Sequence, residues 1–327
     1  MNKIVFRVIA NRKVGLGHVY RALAIANSLK FQKIIFITDN TDAPNVKKIV
    51  RNKYRIIKCQ KSKIVKEIIK LKPNLVINDI LSTYYKDTLD IKKQNIKIIN
   101  FEDIGVGSKY ADATINEIYD KPLNTYTNTY WGSKYFFLRD EFKKVKPVKF
   151  KRKIKNIIIT FGGSDQFNLT FKTYEAVKEI CKKNLIKIHI VTGPAYRYAN
   201  TLSKKTIDDH NLEIHNSTGI ISKIMTKCDL AICSNGRTVF ELAHMNIPSL
   251  VIPQHQREQT HSFSSIMTGF IVLRMYQKNY NFNSLSKYFV KLINNVAFRK
   301  KLYSRMVKYN FIDNKKKTIN IINKYLL

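Results

Sequence analysis

The residues with the most chemical capacity stand in four short runs, each where an apolar stretch gives way to a helical pattern. The first is Val14-Gly15-Leu16-Gly17-His18-Val19-Tyr20-Arg21. Gly15 and Gly17 let the backbone come close to a ligand, and a helix opening there presents unpaired N–H groups to negative charge. The same helix end disfavours a cationic imidazole, so His18 is placed as the neutral ring that a general base requires. The run is not a dinucleotide fingerprint, because the third glycine is absent and Tyr20 and Arg21 fill the first helical turn.

The second run, Thr160-Phe161-Gly162-Gly163-Ser164-Asp165, reads as a strand-to-helix turn. The backbone amides of Gly162, Gly163 and Ser164 suit a phosphate or a sugar. In the third, Cys233-Ser234-Asn235-Gly236-Arg237-Thr238-Val239-Phe240-Glu241, Ser234 and Asn235 read as helix caps and Gly236 as backbone access. Hydroxyl, amide and N–H donors, Thr238 among them, collect there where a pyrophosphate fits. Glu241, one turn inside, can accept two hydroxyl hydrogen bonds from a ribose diol. The fourth, Pro253-Gln254-His255-Gln256-Arg257-Glu258-Gln259, offers the amides of Gln256 and Gln259 to sugar hydroxyls. Taken alone, each run also fits an ordinary cap, turn or polar loop.

The elements that must position these runs follow from periodicity. Short apolar runs alternate with amphipathic stretches of helical length, the pattern of a parallel sheet with crossover helices. In the first half the strands are Ile4–Ile9, Lys33–Thr38, Arg55–Lys58, Leu75–Ile77, Lys97–Phe101 and Ala113–Ile115. His18–Leu29, Pro44–Asn52, Lys61–Leu71 and Leu81–Gln94 read as helices between them. Lys143–Lys155 is Lys-rich, contains Pro147 and has no apolar period, so it reads as a linker. The series then restarts, with strands Asn156–Thr160, Lys187–Thr192, Leu212–His215, Leu230–Cys233 and Ser249–Ile252. The expectation is two Rossmann-like, doubly wound α/β domains facing a cleft, residues 1–146 and 147–327. The first would be the sugar or acceptor side carrying His18, the second the nucleotide side. The tail Asn314–Leu327 reads as a solvated amphipathic helix with no site.

Composition narrows the classes. The 327 residues suit two domains, and 44% hydrophobic content supplies two ordinary cores. Lys and Arg number 59 against 23 Asp and Glu, a net charge of +36. Of those bases 46 are Lys, spread along the whole chain, whereas nucleic-acid binders concentrate Arg and aromatics on one face. No nucleic-acid partner is therefore expected. Solvated surface lysine and a peripheral attraction to an anionic membrane face both stay open. Four dispersed cysteines, Cys59, Cys181, Cys228 and Cys233, form neither a CxxC nor a Cys/His cluster, so reduced thiols and no metal are expected. The chain opens on a strand and has no apolar run near 18 residues, which fits a soluble, cytoplasmic protein.

In this order and spacing the four runs resemble the glycosyltransferase-B superfamily. Ser234–Glu241, with Gln254-His255 and Gln259, is similar to the donor-nucleotide site of the lipid II-forming N-acetylglucosaminyltransferases. A closer likeness is to the UDP-sugar hydrolases of the pseudaminic acid pathway, which remove UDP from a 2,4-diacetamido-2,4,6-trideoxy-altrose, and to their spore-coat polysaccharide biosynthesis relatives. Phe6-Arg7 followed by Val14–His18 and Arg21, then Phe101-Glu102-Asp103, Leu138–Phe142 and Phe161–Asp165, carry that likeness. The resemblance implies that His18 activates water at the anomeric carbon. It implies that Gly163, Ser234, Asn235 and Gly236 hold the departing pyrophosphate, that Glu241 binds ribose, and that Arg21 and Asp103 belong to the substrate-binding set. It implies no metal and no cofactor. Two positions depart from the hydrolase pattern: Ile9 stands where it has an acid, and Asn78-Asp79 where it has Asp-His. An acid beside His18 is accordingly expected to be missing. Hydrolysis of a UDP-sugar is the leading expectation, with other enzymes of the same sugar pathway as partners. A UDP-sugar glycosyltransferase with a membrane or glycan acceptor, and a non-catalytic nucleotide-sugar-binding partner, are the alternatives.

Overall fold

The computed structural model describes residues 1–11, 14–30, 32–216 and 219–326; Leu327, the last residue of the expected tail helix, lies outside them. Two compact units emerge. One is Met1–Phe137 together with the chain from Asp313 onward; the other is Leu138–Ile312.

The first unit is built on β1 (Lys3–Val8), β2 (Lys33–Asp39), β3 (Arg55–Cys59), β4 (Leu75–Asp79), β5 (Lys97–Phe101), β6 (Ala113–Asn116) and β7 (Thr129–Trp131). They form one seven-stranded sheet in the order β3-β2-β1-β4-β5-β6-β7. All neighbours are parallel, which requires crossovers, and these include α1 (Gly17–Ala26), α2 (Ala43–Val50), α3 (Ile64–Leu71) and α4 (Tyr85–Lys92). The strands are apolar on both faces because helices cover both, as Ile4, Val5 and Phe6 at 0% exposure illustrate.

The second unit repeats the plan with β8 (Asn156–Thr160), β9 (Lys187–Thr192), β10 (Leu212–Asn216), β11 (Leu230–Cys233), β12 (Ser249–Val251) and β13 (Phe270–Val272). Its six-stranded sheet runs β10-β9-β8-β11-β12-β13. Its helices are α5 (Leu169–Lys183), α6 (Ala199–Lys205), α7 (Ile221–Met225), α8 (Thr238–His244), α9 (Gln256–Gln259), α10 (Asn283–Asn294) and α11 (Val296–Met306). Strands β7 and β13, three residues each, escaped the sequence pattern because they are too short to show a period.

The domain boundary and the tail differ from expectation for one reason. Helix α12 (Asn314–Lys324) is not a solvated appendage to the second unit but part of the first. Thr318, Ile321 and Ile322, spaced as one helical face, are buried, and both isoleucines join the core of Ile4, Phe6, Leu75 and Ile77. Burying a side chain such as Ile322 stabilises by roughly 1.5–3 kcal/mol. Polar groups fix the docking: Asn314 Nδ2 donates to Phe136 O at 2.9 Å, Thr318 Oγ1 to Tyr135 O at 3.2 Å and Tyr325 OH to Asp112 O at 3.0 Å.

The expected linker is also structured. Val148 N–H donates to Met245 O at 3.0 Å, Ile154 is buried, and the Arg299 guanidinium donates to the carbonyls of Lys151 and Arg152. A Lys-rich surface strip docked through two apolar residues and its backbone has no hydrophobic period to betray it.

Candidate active site

In both units the strand order reverses beside the first strand: between β1 and β4 in one, between β8 and β11 in the other. In doubly wound sheets ligands usually sit outside the carboxyl ends of the strands at such a switch point. All four motif runs leave such strand ends or the next one along.

In the first unit Gly15 has φ +78°, a conformation that favours glycine, and this turn delivers the chain from β1 into α1. His18 and Arg21 lie one turn apart on the buried face of α1 with Val19, Ala22, Ile25 and Ala26. Three neighbouring strands bring acids to them: Asp79 ends β4, Glu102 follows β5 and Glu117 follows β6. Register sets Asp79 opposite Val8 at the end of β1, the strand that leads into the His18 loop.

His18 Nδ1 lies 2.5 Å from Asp79 Oδ1. Arg21 grips the same carboxylate with two donors, Nε to Oδ2 at 2.7 Å and Nη2 to Oδ1 at 2.6 Å. Its Nη1 donates to Glu102 Oε1 and, at 2.8 Å, to Glu117 Oε1. Burial alone would raise the pKa of Asp79, but the Arg21 and His18 charges and hydrogen bonds hold it below the usual carboxylate value. Burial likewise opposes charge on Arg21, yet Asp79, Glu102 and Glu117 together raise its pKa well above the ordinary value. An ionised Asp79 can only accept, so the His18 Nδ1–H donates to it and Nε2 carries the basic lone pair. Nε2 has no hydrogen-bond partner among the described residues.

This overturns the expectation of a missing acid beside His18. Asp79 supplies it, from a strand 61 residues away in sequence, a separation that motif spacing does not reveal. Arg21 and Asp103, expected in the substrate-binding set, are both held in buried polar networks. Arg21 is 2% exposed and engaged by carboxylates. Asp103 is 2% exposed and accepts from Thr83 N, Thr83 Oγ1, Asn100 Nδ2 and Gly105 N, which makes it an organiser of the loop after β5. Glu102, held at φ +50°, and Glu117 are the acids that reach Arg21.

In the second unit the Gly162-Gly163-Ser164 loop is partly exposed. A Cβ on Gly193 would fall 2.4 Å from Gly163 Cα, so the loop is braced directly on glycine backbone. Asp165 caps α5, accepting from Leu169 N and Thr170 N at 2.8 Å each.

After β11 the arrangement departs from the expected caps. Neither Ser234 nor Asn235 caps α8; Arg237 stands at the N-cap position with no side-chain capping bond. Asn235 Nδ2 instead donates to Glu258 O at 2.7 Å and His261 O at 3.1 Å, tying this loop to the one after β12. Glu258 completes the tie, with Oε2 accepting from Gln254 N at 2.7 Å and Asn235 N at 3.3 Å. Burial pushes its carboxyl up to about 7 against those hydrogen bonds and one from Ser234. Glu258 was not singled out by sequence; its neighbours Gln256 and Gln259 were, and both are exposed on α9. The period of a helical turn, which turns position 258 inward from a short helix, was the available signal. Glu241, 7% exposed, accepts from Arg139 Nε at 3.0 Å and Nη2 at 2.9 Å through Oε1 alone. The Leu138–Phe142 segment thus belongs to this site. Thr238 opens α8 beside Gly236, where a built Cβ meets nothing closer than Glu258 Oε1 at 3.6 Å.

Residues 157–319 match the family model described as glycosyltransferase family 28 C-terminal domain. The crystal structure of MurG from Acinetobacter baumannii superposes with a TM-score of 0.67 over 99% of this chain and 100% of that one, at 15% identity. The chain has the glycosyltransferase-B fold. A second structure of that fold, S. aureus MnaA solved with UDP, superposes with a TM-score of 0.62 over 100% of this chain and 97% of that one, at 14% identity.

The resemblance carried by the motifs is borne out among curated proteins. The spore coat polysaccharide biosynthesis protein SpsG of Bacillus subtilis is 28% identical over 76% of this chain and 77% of its own length. A Helicobacter pylori protein named pseudaminic acid cytidylyltransferase and UDP-2,4-diacetamido-2,4,6-trideoxy-beta-L-altropyranose hydrolase is 28% identical over 50% of this chain and 24% of its own length. An uncharacterised protein of Methanocaldococcus jannaschii is 34% identical over 76% of this chain, which aligns with only about half, 54%, of that relative.

Proposed function

We propose that this glycosyltransferase-B chain hydrolyses a UDP-linked diacetamido-trideoxy sugar in the synthesis of a nonulosonic acid or related surface glycan. The observation that carries the reading is the His18–Asp79 pair, oriented by Arg21 at the switch point of the first sheet. Water attacks the anomeric carbon and its proton passes to His18 Nε2. The bond from that carbon to the β-phosphate oxygen breaks, and UDP departs with the electron pair. Asp79 stabilises the imidazolium as it forms. One displacement inverts the anomeric centre.

The second unit supplies the nucleotide site. Gly163, Ser164, Gly236 and the uncapped start of α8 offer backbone donors to the pyrophosphate, where negative charge grows as the bond breaks. Glu241 keeps Oε2 for the ribose hydroxyls, with Oε1 anchored by Arg139. Gln256 and Gln259 are exposed for polar contacts with the sugar. The name of the Helicobacter pylori relative supports the hydrolase reading. The surplus of positive charge draws in a dianionic substrate.

The test is release of UDP from a diacetamido UDP-sugar with no acceptor and no added metal, in water enriched in the heavy oxygen isotope. The label is expected in the sugar and not in UDP. His18→Ala is expected to bind UDP normally and to lose turnover by about 10²–10⁴-fold. A variant that turns over near the wild-type rate rejects His18 as the base. The glycosyltransferase reading is favoured by the family 28 match; it predicts no UDP release until a lipid or glycan hydroxyl is supplied. Calorimetric UDP binding without turnover under either condition would leave a non-catalytic binding partner.

A further inference from the structure

Away from both switch points, three potential metal ligands converge at the edge of the second sheet. His189 lies on β9 and Glu213 and His215 on β10, the edge strand. Register places His189 directly opposite Glu213, and His215 two residues further along β10. Alternation along a strand then puts all three side chains on one face of the sheet.

The separations are informative. His189 Nδ1 and His215 Nε2 are 3.3 Å apart. The Glu213 oxygens lie 3.5 Å from His189 Nδ1 and 3.4 Å from His215 Nε2. Zinc bonds of about 2.0–2.1 Å at tetrahedral angles put neighbouring ligand atoms roughly 3.3–3.4 Å apart. The three groups are thus near the ligand spacing of such a site, with Oε2 of Glu213 toward His189 and Oε1 toward His215. A single proton shared between two imidazoles accounts for one of these contacts but not for all three.

The surroundings fit as well. His189 Nε2 meets Asn156 Oδ1 at 3.1 Å, an acceptor, which fixes the ring N–H on that side and turns the bare Nδ1 toward the other two ligands. Glu213 and His215 are 38% and 19% exposed at the side chain, so the fourth position opens to water. Lys187 pairs with Glu213 at 2.8 Å but is 47% exposed, and its long stem can swing into solvent as a cation enters.

We propose that His189, Glu213 and His215 form a binding site for a divalent transition metal of the zinc class. Two imidazoles and one carboxylate favour zinc, cobalt or nickel over magnesium and calcium, which prefer oxygen alone. The metal would clip edge strand β10 to β9, a structural role separate from the proposed hydrolysis. This replaces the sequence-based expectation of no metal. That expectation searched for clustered ligands, whereas His189 and His215 are 26 residues apart and meet only through strand pairing.

The experiment uses the full chain stripped with a chelator and titrated with Co²⁺ near neutral pH. One equivalent is expected to bind with the intense visible absorption of tetrahedral cobalt, and Zn²⁺ is expected to displace it and raise Tm. Glu213→Gln and His215→Asn, both at partly exposed positions, are expected to fold as judged by circular dichroism and to lose the absorption and the Tm rise. Asn156→Ala is expected to weaken binding by about 10–100-fold. Absence of tetrahedral absorption in the wild type overturns the assignment. So does binding that survives both ligand variants, or binding that His18→Ala abolishes.

Discussion

The two units give the same scaffold position two different linings. Each sheet reverses its order beside its first strand, and each sends a glycine-bearing loop out of that strand. In the first unit that position is occupied by paired acidic and basic side chains: Asp79, Glu102 and Glu117 close on Arg21, with His18 beside Asp79. In the second it is lined by backbone and amide donors beside the Arg139–Glu241 ion pair, and its buried acid Glu258 has a carboxyl pushed up to about 7. A proton-transfer site needs a fixed charge to orient its base. An anion site needs bare N–H groups. Under the proposed function one architecture serves both, and the residues at the strand ends decide which.

The strongest break in that comparison is Arg21→Met. Arg21 is the buried ion-pair partner that Asp79, Glu102 and Glu117 share, and breaking such a buried pair costs about 3–5 kcal/mol. Urea denaturation should show that loss, and an unchanged midpoint would mean that the acids are solvated or protonated. Asp79→Asn keeps the shape while removing the charge that orients His18, and turnover should fall by about 10²–10⁴-fold with UDP affinity retained. A loss of UDP affinity instead would contradict the division of labour between the units.

Glu258 offers a test that the first unit does not. Its carboxyl is raised from 4.5 to about 7 in the folded chain, so the native state holds a proton that the unfolded state releases. The associated stability is present in full below pH 4.5 and is lost as pH rises toward about 7, a decline of about 3 kcal/mol. Glu258→Gln should flatten that slope in urea titrations at several pH values. The smallest effect on the fold is expected from Gly236→Ala. Its Cβ has room within the unit, with the nearest atoms at 3.6 and 3.7 Å, so Tm should hold. The methyl would meet a phosphate approaching the backbone, and UDP affinity should drop at least about tenfold, or 1.4 kcal/mol.

Much of the fold was legible because buried parallel strands read as apolar runs such as Ile157-Ile158-Ile159, and crossover helices carry their own period. The glycine-bearing turns at Gly15, Gly163 and Gly236 were legible for a related reason: a turn from a buried strand toward a helix writes glycine locally. The partners of those residues were not. Asp79, Glu102 and Glu117 converge on Arg21 from three strands, across separations of 58, 81 and 96 residues. Glu258 reaches Asn235 across 23.

By itself, then, the sequence determined the alternation of strands and helices, the two-unit plan and the turns that carry the candidate site, since these rest on interactions between near neighbours. Strand order decided the rest. It set which acid stands beside His18, which unit owns α12, and that His189, Glu213 and His215 share one face. Those pairings are contacts between distant segments, and no local pattern in the chain encodes them.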